Sequence, residues 1–240
     1  MKNIALDGRL LSVAGFVRQD AVLADIGTDH AHLPVFLLKT GKIKRAVCSD
    51  INEGPLAVAR ANAVSAGVSQ SIDFELTDGV VGLEKYPITD YAVCGMGGEL
   101  IAEIITKDKT LCRSGVRLIL QPMTKPECVR LALGKIGFRI IHEAFSREGG
   151  KYYVCMAAEY DGIVRELSEA DALLGEKQAD FDNLSSQIEY FYVKKRAQER
   201  KISGKAEGGK DKENDILLLN AINERLEYLE GERREKSIHK

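Results

Sequence analysis

Two apolar runs beyond the middle of the chain restrict the fold more than any other feature. Arg139–Phe145 and Tyr152–Tyr160 both read as β-strands, and only the loop Arg147-Glu-Gly-Gly-Lys151 lies between them. A parallel pair needs a crossover of about a dozen residues or more, so one of the two strands must run antiparallel. The five runs before them behave differently. Val22–Ile26, Arg45–Asp50, Ile72–Leu76, Tyr91–Cys94 and Val116–Leu120 follow one another at longer intervals, and all but the third are followed by a helical stretch. The spacing predicts helices over 2–18 (stripe Ile4, Leu6, Leu10, Leu11, Phe16), Pro34–Lys39, Pro55–Ala66 with a stop at Gly67, Leu100–Ile105, and Pro126–Ile136 with a stop at Gly137. Strands that alternate with helices pair in parallel and are covered on both faces. The expected fold is α/β: a Rossmann-like, seven-stranded sheet that ends in an antiparallel hairpin.

Beyond residue 162 the pattern changes to helical spacing. Leu184, Ile188, Phe191, Lys195 and Ile202 trace one face, and Leu219, Ile222, Leu226 and Leu229 trace another. A glycine-rich turn at Ser203–Lys210 joins them, so a C-terminal, coiled-coil-like helical hairpin is expected, with 230–240 frayed. The predicted domains are 1–161 and 162–240. Net charge is -2, from 34 basic and 36 acidic residues, which excludes a uniformly basic nucleic-acid coat but not a local patch. The five cysteines, Cys48, Cys94, Cys112, Cys128 and Cys155, form no C-x-x-C pair and read as reduced core residues. There is no signal-peptide layout and no apolar run near the ~18 residues of a membrane span, so a soluble, cytoplasmic protein is expected.

In an open α/β sheet the ligand sits beyond the carboxyl ends of the strands. Those ends carry Asp25-Ile-Gly27, Asp50-Ile-Asn52, Asp78-Gly79, Gly95-Met-Gly-Gly98 and Gln121-Pro122. The first turn, Gly27-Thr-Asp-His-Ala-His32, lacks the glycine pattern of pyrophosphate binders. It places Asp25 and Asp29 where a diphosphate would need N–H or cationic partners. A cationic sulfonium with a free amino group suits carboxylates, so S-adenosylmethionine is the expected cofactor. Asp50 occupies the acidic position that accepts the ribose hydroxyls of an adenosine, and Asp78 can accept from the adenine amino group. Methyltransferase folds of class I end in the hairpin found here, whereas dehydrogenase-type folds add a parallel strand. His30-Ala-His32 is a poor metal pair, because ligands at i and i+2 do not converge and no third ligand is spaced to close the site. No metal is expected.

With these residues, the chain resembles the bacterial tRNA (adenine-22-N1)-methyltransferase family. The resemblance rests on Asp25-Ile-Gly-Thr-Asp-His-Ala-His-Leu-Pro34, Asp50-Ile-Asn52, Asp78-Gly79 and Cys94-Gly-Met-Gly-Gly-Glu-Leu-Ile101, with Leu6-Asp-Gly-Arg-Leu10 and Glu148-Gly-Gly-Lys-Tyr-Tyr153 in support. It implies transfer of a methyl group from S-adenosylmethionine to N1 of an adenine in the D-arm region of tRNA. Carried over by motif, Arg9, Asp25, Gly27, Thr28, Asp29 and His30 line the methionine end of the cofactor. Asp50, Ile51 and Asn52 hold the ribose and the adenine edge, Asp78 and Gly79 hold the adenine, and Gly95 and Met96 close the pocket. Gly97 and Gly98 face the target base, and Asp29 favours the cationic product. One family variant has serine and tyrosine where this chain has Thr28 and His32. The glycines after the fourth strand offer no side-chain amide to grip an exocyclic amine, which favours a ring nitrogen.

Candidate phosphate contacts for tRNA are Arg9, Arg18, Lys125, Arg147 and Lys151, with Lys194, Lys195, Arg196, Arg200 and Lys201 on the helical tail. The residues alone leave open a methyltransferase of another substrate and a non-catalytic RNA-binding protein on the same fold. An oxidoreductase is weakened by the missing pyrophosphate glycines.

Overall fold

A computed structural model describes residues 6–180, 182–205 and 210–238. Seven strands form one sheet: β1 (Val22–Ile26), β2 (Arg45–Asp50), β3 (Ile72–Leu76), β4 (Asp90–Gly97), β5 (Arg117–Thr124), β6 (Phe138–Glu148) and β7 (Lys151–Tyr160). Their spatial order is β3-β2-β1-β4-β5-β7-β6. The first five pair in parallel, and β7 lies antiparallel to both β5 and β6. The chain therefore travels to the sheet edge as β6 and returns to fill the slot beside β5. The short Glu148–Lys151 connection leaves it no other way back.

Eight helices complete the described chain: α1 (Gly8–Phe16), α2 (His32–Lys39), α3 (Glu53–Ala66), α4 (Gly98–Lys107), α5 (Pro126–Lys135), α6 (Glu169–Leu174), α7 (Leu184–Ser203) and α8 (Lys210–Ile238). Successive strand residues point to opposite faces. Val47, Val93, Leu118 and Met156 pack with α4, α5, α7 and α8, while Ala46, Cys48, Ala92, Ile119 and Cys155 pack with α1, α2 and α3. The centres of β1, β2, β4, β5 and β7 are thus dry on both sides, which is why they read as apolar runs. Gly67 caps α3 in the left-handed region (φ 75°), with its N–H bonded back into the last turn, and Pro126 opens α5 where no intrahelical donor is needed.

Several boundaries differ from expectation. The first helix begins at Gly8, because Asp7 accepts from the Leu10 N–H at 2.7 Å and so ends the preceding segment as a cap. Ile4 of the predicted stripe lies outside the described residues, as do 206–209 of the expected glycine-rich turn and 239–240. Where fraying was expected over 230–240, the described residues 230–238 are helical, because α8 continues to Ile238. The short helix α6 is additional. Its start is a Ser168-x-x-Asp171 cap, in which the Asp171 N–H donates to the Ser168 hydroxyl at 3.1 Å.

The tail helices run antiparallel, as the pairs Tyr192–Glu230 and Gln198–Asp215 show. Their apolar faces are continuous with the sheet core: Phe145 of β6 lies against Tyr190 and Phe191, with ring centroids 5.1 and 6.0 Å away. Asp215, 1% exposed, accepts from Gln198 and pairs with Lys201 and Lys205, and this group sets the register of the two helices.

Arg18 is not at the crevice. It lies at the amino ends of the parallel strands, where its guanidinium holds the fully buried Asp90 (2.6 and 2.8 Å) and donates to the carbonyls of Thr89 and Gly115. A buried carboxylate needs that partner, so Arg18 has a structural place and is withdrawn as a tRNA contact. Removing one side of a buried pair leaves an uncompensated charge. Arg18→Met is expected to lower unfolding stability by about 3 kcal/mol, read from the urea midpoint at unchanged m. A change within about 0.5 kcal/mol would show that Asp90 has another means of compensation.

Candidate functional site

The parallel strands bring their carboxyl ends into one row. Asp25 ends β1, Asp50 ends β2, Asp78 follows β3, and the glycine segment Gly95–Gly98 closes β4 and opens α4. The turn after β1 is bonded to its neighbour: the N–H groups of Gly27 and Thr28 both donate to the Ser49 carbonyl, at 2.8 and 2.9 Å. Ser49, fully buried, in turn donates to the Gly79 carbonyl at 3.3 Å, and the Thr77 N–H donates to the Asp50 carbonyl. Three turns are thereby tied into a single ledge.

Asp25 is the buried acid of the row. Its carboxylate accepts from the Thr28 hydroxyl at 2.6 Å, and burial raises its pKa from 3.8 to about 6 despite that bond. Asp50 is half-buried and accepts from the Asn52 N–H at 2.8 Å through one carboxylate oxygen. Ile51 beside it is 64% exposed, an apolar surface next to the acid. Asp78 forms a surface ion pair with Lys107, which holds it weakly. Asp29 is exposed and sits 3.0 Å from the His30 Nε2; His30 stacks on His32 at 5.1 Å. Partial burial and the neighbouring His30 lower the His32 pKa. Helix α2 starts from Ala31 in the left-handed region (φ 53°), and no side chain caps its first N–H groups. Those donors are available for an anionic group.

The glycines have separate reasons. Gly27 has φ +70°, and a Cβ there would lie 1.9 Å from the Met96 Cε. Met96 therefore covers the β1 turn. Gly95 (φ +78°) sits at an irregularity in the β4–β5 register, and this bulge carries Met96 across to Gly27. Gly79 (φ +61°) turns the chain beneath Ile104. Gly97 is partly exposed, with the Thr124 hydroxyl 3.5 Å from where its Cβ would be. Gly98 is different. It is buried, and a Cβ would meet the Lys125 carbonyl oxygen at 2.1 Å and that of Thr124 at 2.7 Å. It permits α4 to pack on the β5–α5 loop, so the space expected there for a target base is filled by backbone.

Arg9 is at the crevice as expected, but within a network that the strand-end pattern does not announce. Its Nη1 donates to the Gln121 Oε1 at 2.6 Å, and it pairs with Asp7 and with Glu148 at the hairpin tip. The Gly95 N–H donates to the same Gln121 oxygen at 3.2 Å, while the Gln121 amide donates to the Pro122 carbonyl. A fully buried glutamine therefore joins α1, the glycine segment and β5. The available signal was a polar residue inside the apolar run Leu118–Leu120 as it ends. Cys94, beside Gly95, is a core residue: burial pushes its thiol up, away from a reactive thiolate.

Among the basic candidates, Lys125 pairs with Glu99 at 2.6 Å, and Arg147 lies over the Tyr152 ring at 5.7 Å. Lys151 opens β7 beside them at the hairpin tip. Lys194 pairs with Glu127 in the first turn of α5 at 3.4 Å, which places it near the carboxyl end of β5. Lys201 is withdrawn, because it neutralises Asp215. Among the described residues no His/Cys/Asp/Glu group is arranged to hold a metal, and no helix is long and apolar enough to cross a membrane.

The strand order, the antiparallel β7 and the acids along the strand ends are those of a class I methyltransferase. Residues 6–156 match a family model described as a methyltransferase domain. A Bacillus subtilis (strain 168) protein, tRNA (adenine(22)-N(1))-methyltransferase, is 34% identical over 170 residues, covering 68% of this chain and 71% of that protein. A Streptococcus pneumoniae structure in complex with S-adenosyl-L-methionine has a TM-score of 0.79 at 29% identity, covering 92% of this chain and 100% of that one. The M. capricolum TrmK structure in complex with S-adenosyl-homocysteine also has a TM-score of 0.79, at 26% identity, covering 93% and 99%. The chain belongs to the tRNA (adenine(22)-N(1))-methyltransferase family.

Two outcomes follow from the ledge. Gly27→Ala must displace Met96 and adopt an unfavourable φ, so S-adenosylmethionine affinity is expected to fall at least tenfold by calorimetry, with the sheet intact by circular dichroism. Asp25 titrates at a raised pKa when folded, so its carboxylate costs stability that is lost as pH rises from about 4 through about 6. In ligand-free protein, Asp25→Asn should match the parent near pH 4 and exceed it at pH 7, by up to roughly 3 kcal/mol in urea melts. Parallel pH curves for the two proteins would contradict the assignment.

Proposed function

We infer that this protein transfers a methyl group from S-adenosylmethionine to N1 of adenine 22 in tRNA. The observation that carries this reading is the row of acids Asp25, Asp50 and Asp78 beside a Gly27 turn too tight for any side chain, covered by Met96. A diphosphate cofactor would meet carboxylates there; a sulfonium with an amino group meets partners.

The residues fit the cofactor as follows. Asp25, Thr28 and Asp29, with His30, form the methionine end, and the uncapped α2 N-terminus suits its carboxylate. Asp50 takes the ribose hydroxyls, with Ile51 and Asn52 against the adenine edge, and Asp78 with Gly79 takes the adenine. When bound, S-adenosylmethionine supplies a methyl group on a cationic sulfur, and the positive charge passes with the methyl to the adenine ring. An unprotonated N1 already has its lone pair, so no general base is required before attack. What the chain contributes is placement and a field. Gly95, Met96 and Gly97 line the side where a base turned out of its stack would enter. Asp29, exposed at the mouth, favours the growing cation. Arg9 acts through Gln121 and the Gly95 N–H to hold that segment in position.

The tRNA grip runs along the same edge: Arg147 and Lys151 at the hairpin tip, Lys125 at the start of α5, and Lys194, Lys195 and Arg196 on α7. The helical segment 162–240 serves as the RNA-facing appendage of a catalytic unit formed by 1–161, and tRNA places the reaction in the cytoplasm. Nucleoside mass spectrometry of an unmodified tRNA transcript incubated with the protein and S-adenosylmethionine, followed by site mapping, should find N1-methyladenine at position 22. Methyl transfer to another position or to no RNA would overturn the reading. Lys195→Glu/Arg196→Glu should weaken tRNA binding at least tenfold and flatten its salt dependence, leaving S-adenosylmethionine affinity unchanged.

A further inference from the structure

A second cavity lies away from the crevice. It has a volume of about 460 Å³ and opens between the end of α5, the start of β6, the α6–α7 connection and α8. Phe138 begins β6 on its wall, and the crevice lies past the far end of that eleven-residue strand, roughly 30 Å away at ~3.3 Å per residue.

The cavity has an unusual charge arrangement. Arg130 and Arg225, 1% and 7% exposed, both line it. Arg130 donates to Glu143 at 2.7 Å and to the carbonyls of Ala172 and Leu173, but its Nη2 is buried with no hydrogen-bond partner. Arg225 donates only to the carbonyls of Leu174, Gly175 and Glu176. Of the two buried guanidiniums, Arg130 is ion-paired with Glu143, whereas Arg225 is held by backbone carbonyls. Three further cations stand on the wall: Arg139, Arg165 and Lys177. The lining acids are Asp171 and Glu176. With Glu143 and Asp161 behind the wall, five cations still meet four acids. Leu133 and Ile140 supply apolar surface between them. Gly175 (φ +67°) has no room for a Cβ, which would fall 2.9 Å from the Arg130 guanidinium carbon, so the backbone is pressed against the cation.

We propose that this cavity is a binding site for a small phosphate ester with an apolar or planar body, separate from the methyl-transfer crevice. Guanidinium forks match phosphate oxygens, and an anion entering here meets a wall with more cations than acids. Leu133 and Ile140 would receive the body. The concave shape suits a small molecule rather than an RNA backbone. Because it joins α5, β6 and α8, an occupied site would stiffen the seat of the helical arm.

The test is calorimetric titration of the full chain with phenyl phosphate, inorganic phosphate and phenol. Saturable binding of phenyl phosphate, at least threefold weaker binding of inorganic phosphate and none of phenol are expected. Arg139→Ala/Lys177→Ala, both at exposed positions, should weaken phenyl phosphate at least tenfold, and Arg130→Gln should do the same while S-adenosylmethionine affinity is kept. Absence of saturation, or equal affinity in the Arg139→Ala/Lys177→Ala protein, overturns the proposal. So does a loss of tRNA affinity in that protein without phenyl phosphate binding to the parent, which would make the surface an RNA contact. None of these readouts depends on methyl transfer, so failure here leaves the proposed reaction standing.

Discussion

The insertion of β7 between β5 and β6 is the constraint on which the other features depend. Backbone hydrogen bonding on both sides of β7 removes what would otherwise be an open edge beside β5. Because β7 runs opposite to its neighbours, the Glu148–Lys151 tip returns to the carboxyl side of the sheet. There Glu148 meets Arg9, and Arg9 meets Gln121 and the glycine segment. The same insertion moves β6 outward, giving Phe145 a position against Tyr190 and Phe191 of α7. The arm is therefore fixed by the sheet core rather than tethered by a linker. A parallel last strand would have left both the tip and the arm elsewhere.

Charge along the crevice is graded by burial. Asp25 is deep and held partly protonated near neutral pH, Asp50 is half-buried, and Asp29 and Asp78 are exposed and matched to His30 and Lys107. A cation that enters meets its least solvated partner at the inner end of the row. Attraction is strongest where water is excluded, and screened pairs at the rim contribute little. The buried Asp90 at the opposite ends of the strands already has its cation, because the Arg18 guanidinium is bonded to it, which makes that pair structural.

Much of this was legible in the residues. The seven strands, their parallel run and the closing hairpin follow from spacing alone, because a crossover needs length. The acids at strand ends and the turn glycines are also local signals, since each occupies a position that its own strand determines. Gly98 shows where this reading fails. It sits in the same glycine segment as Gly95, yet one lies at an exposed bulge and the other is packed against the Thr124 and Lys125 carbonyls. Arg18 fails for a related reason: a basic residue near the first strand can go to either end of it, and only Asp90 decides which. The cap at Ser168 was a local signal for α6, but six residues are too few for a periodic stripe.

What the amino-acid sequence determined by itself is the set of elements and the chemistry at their ends. Strand and helix periods, caps, turn glycines and terminal acids are properties of neighbours along the chain. The tertiary structure decided which polar residues became partners. Gln121 with Arg9 and Gly95, Ser49 with Gly79, and Arg130 with the Ala172 and Leu173 carbonyls join residues far apart in the chain. Their pairing depends on strand order and on which side chains are denied water, and both are settled only when the sheet and its two covering layers close.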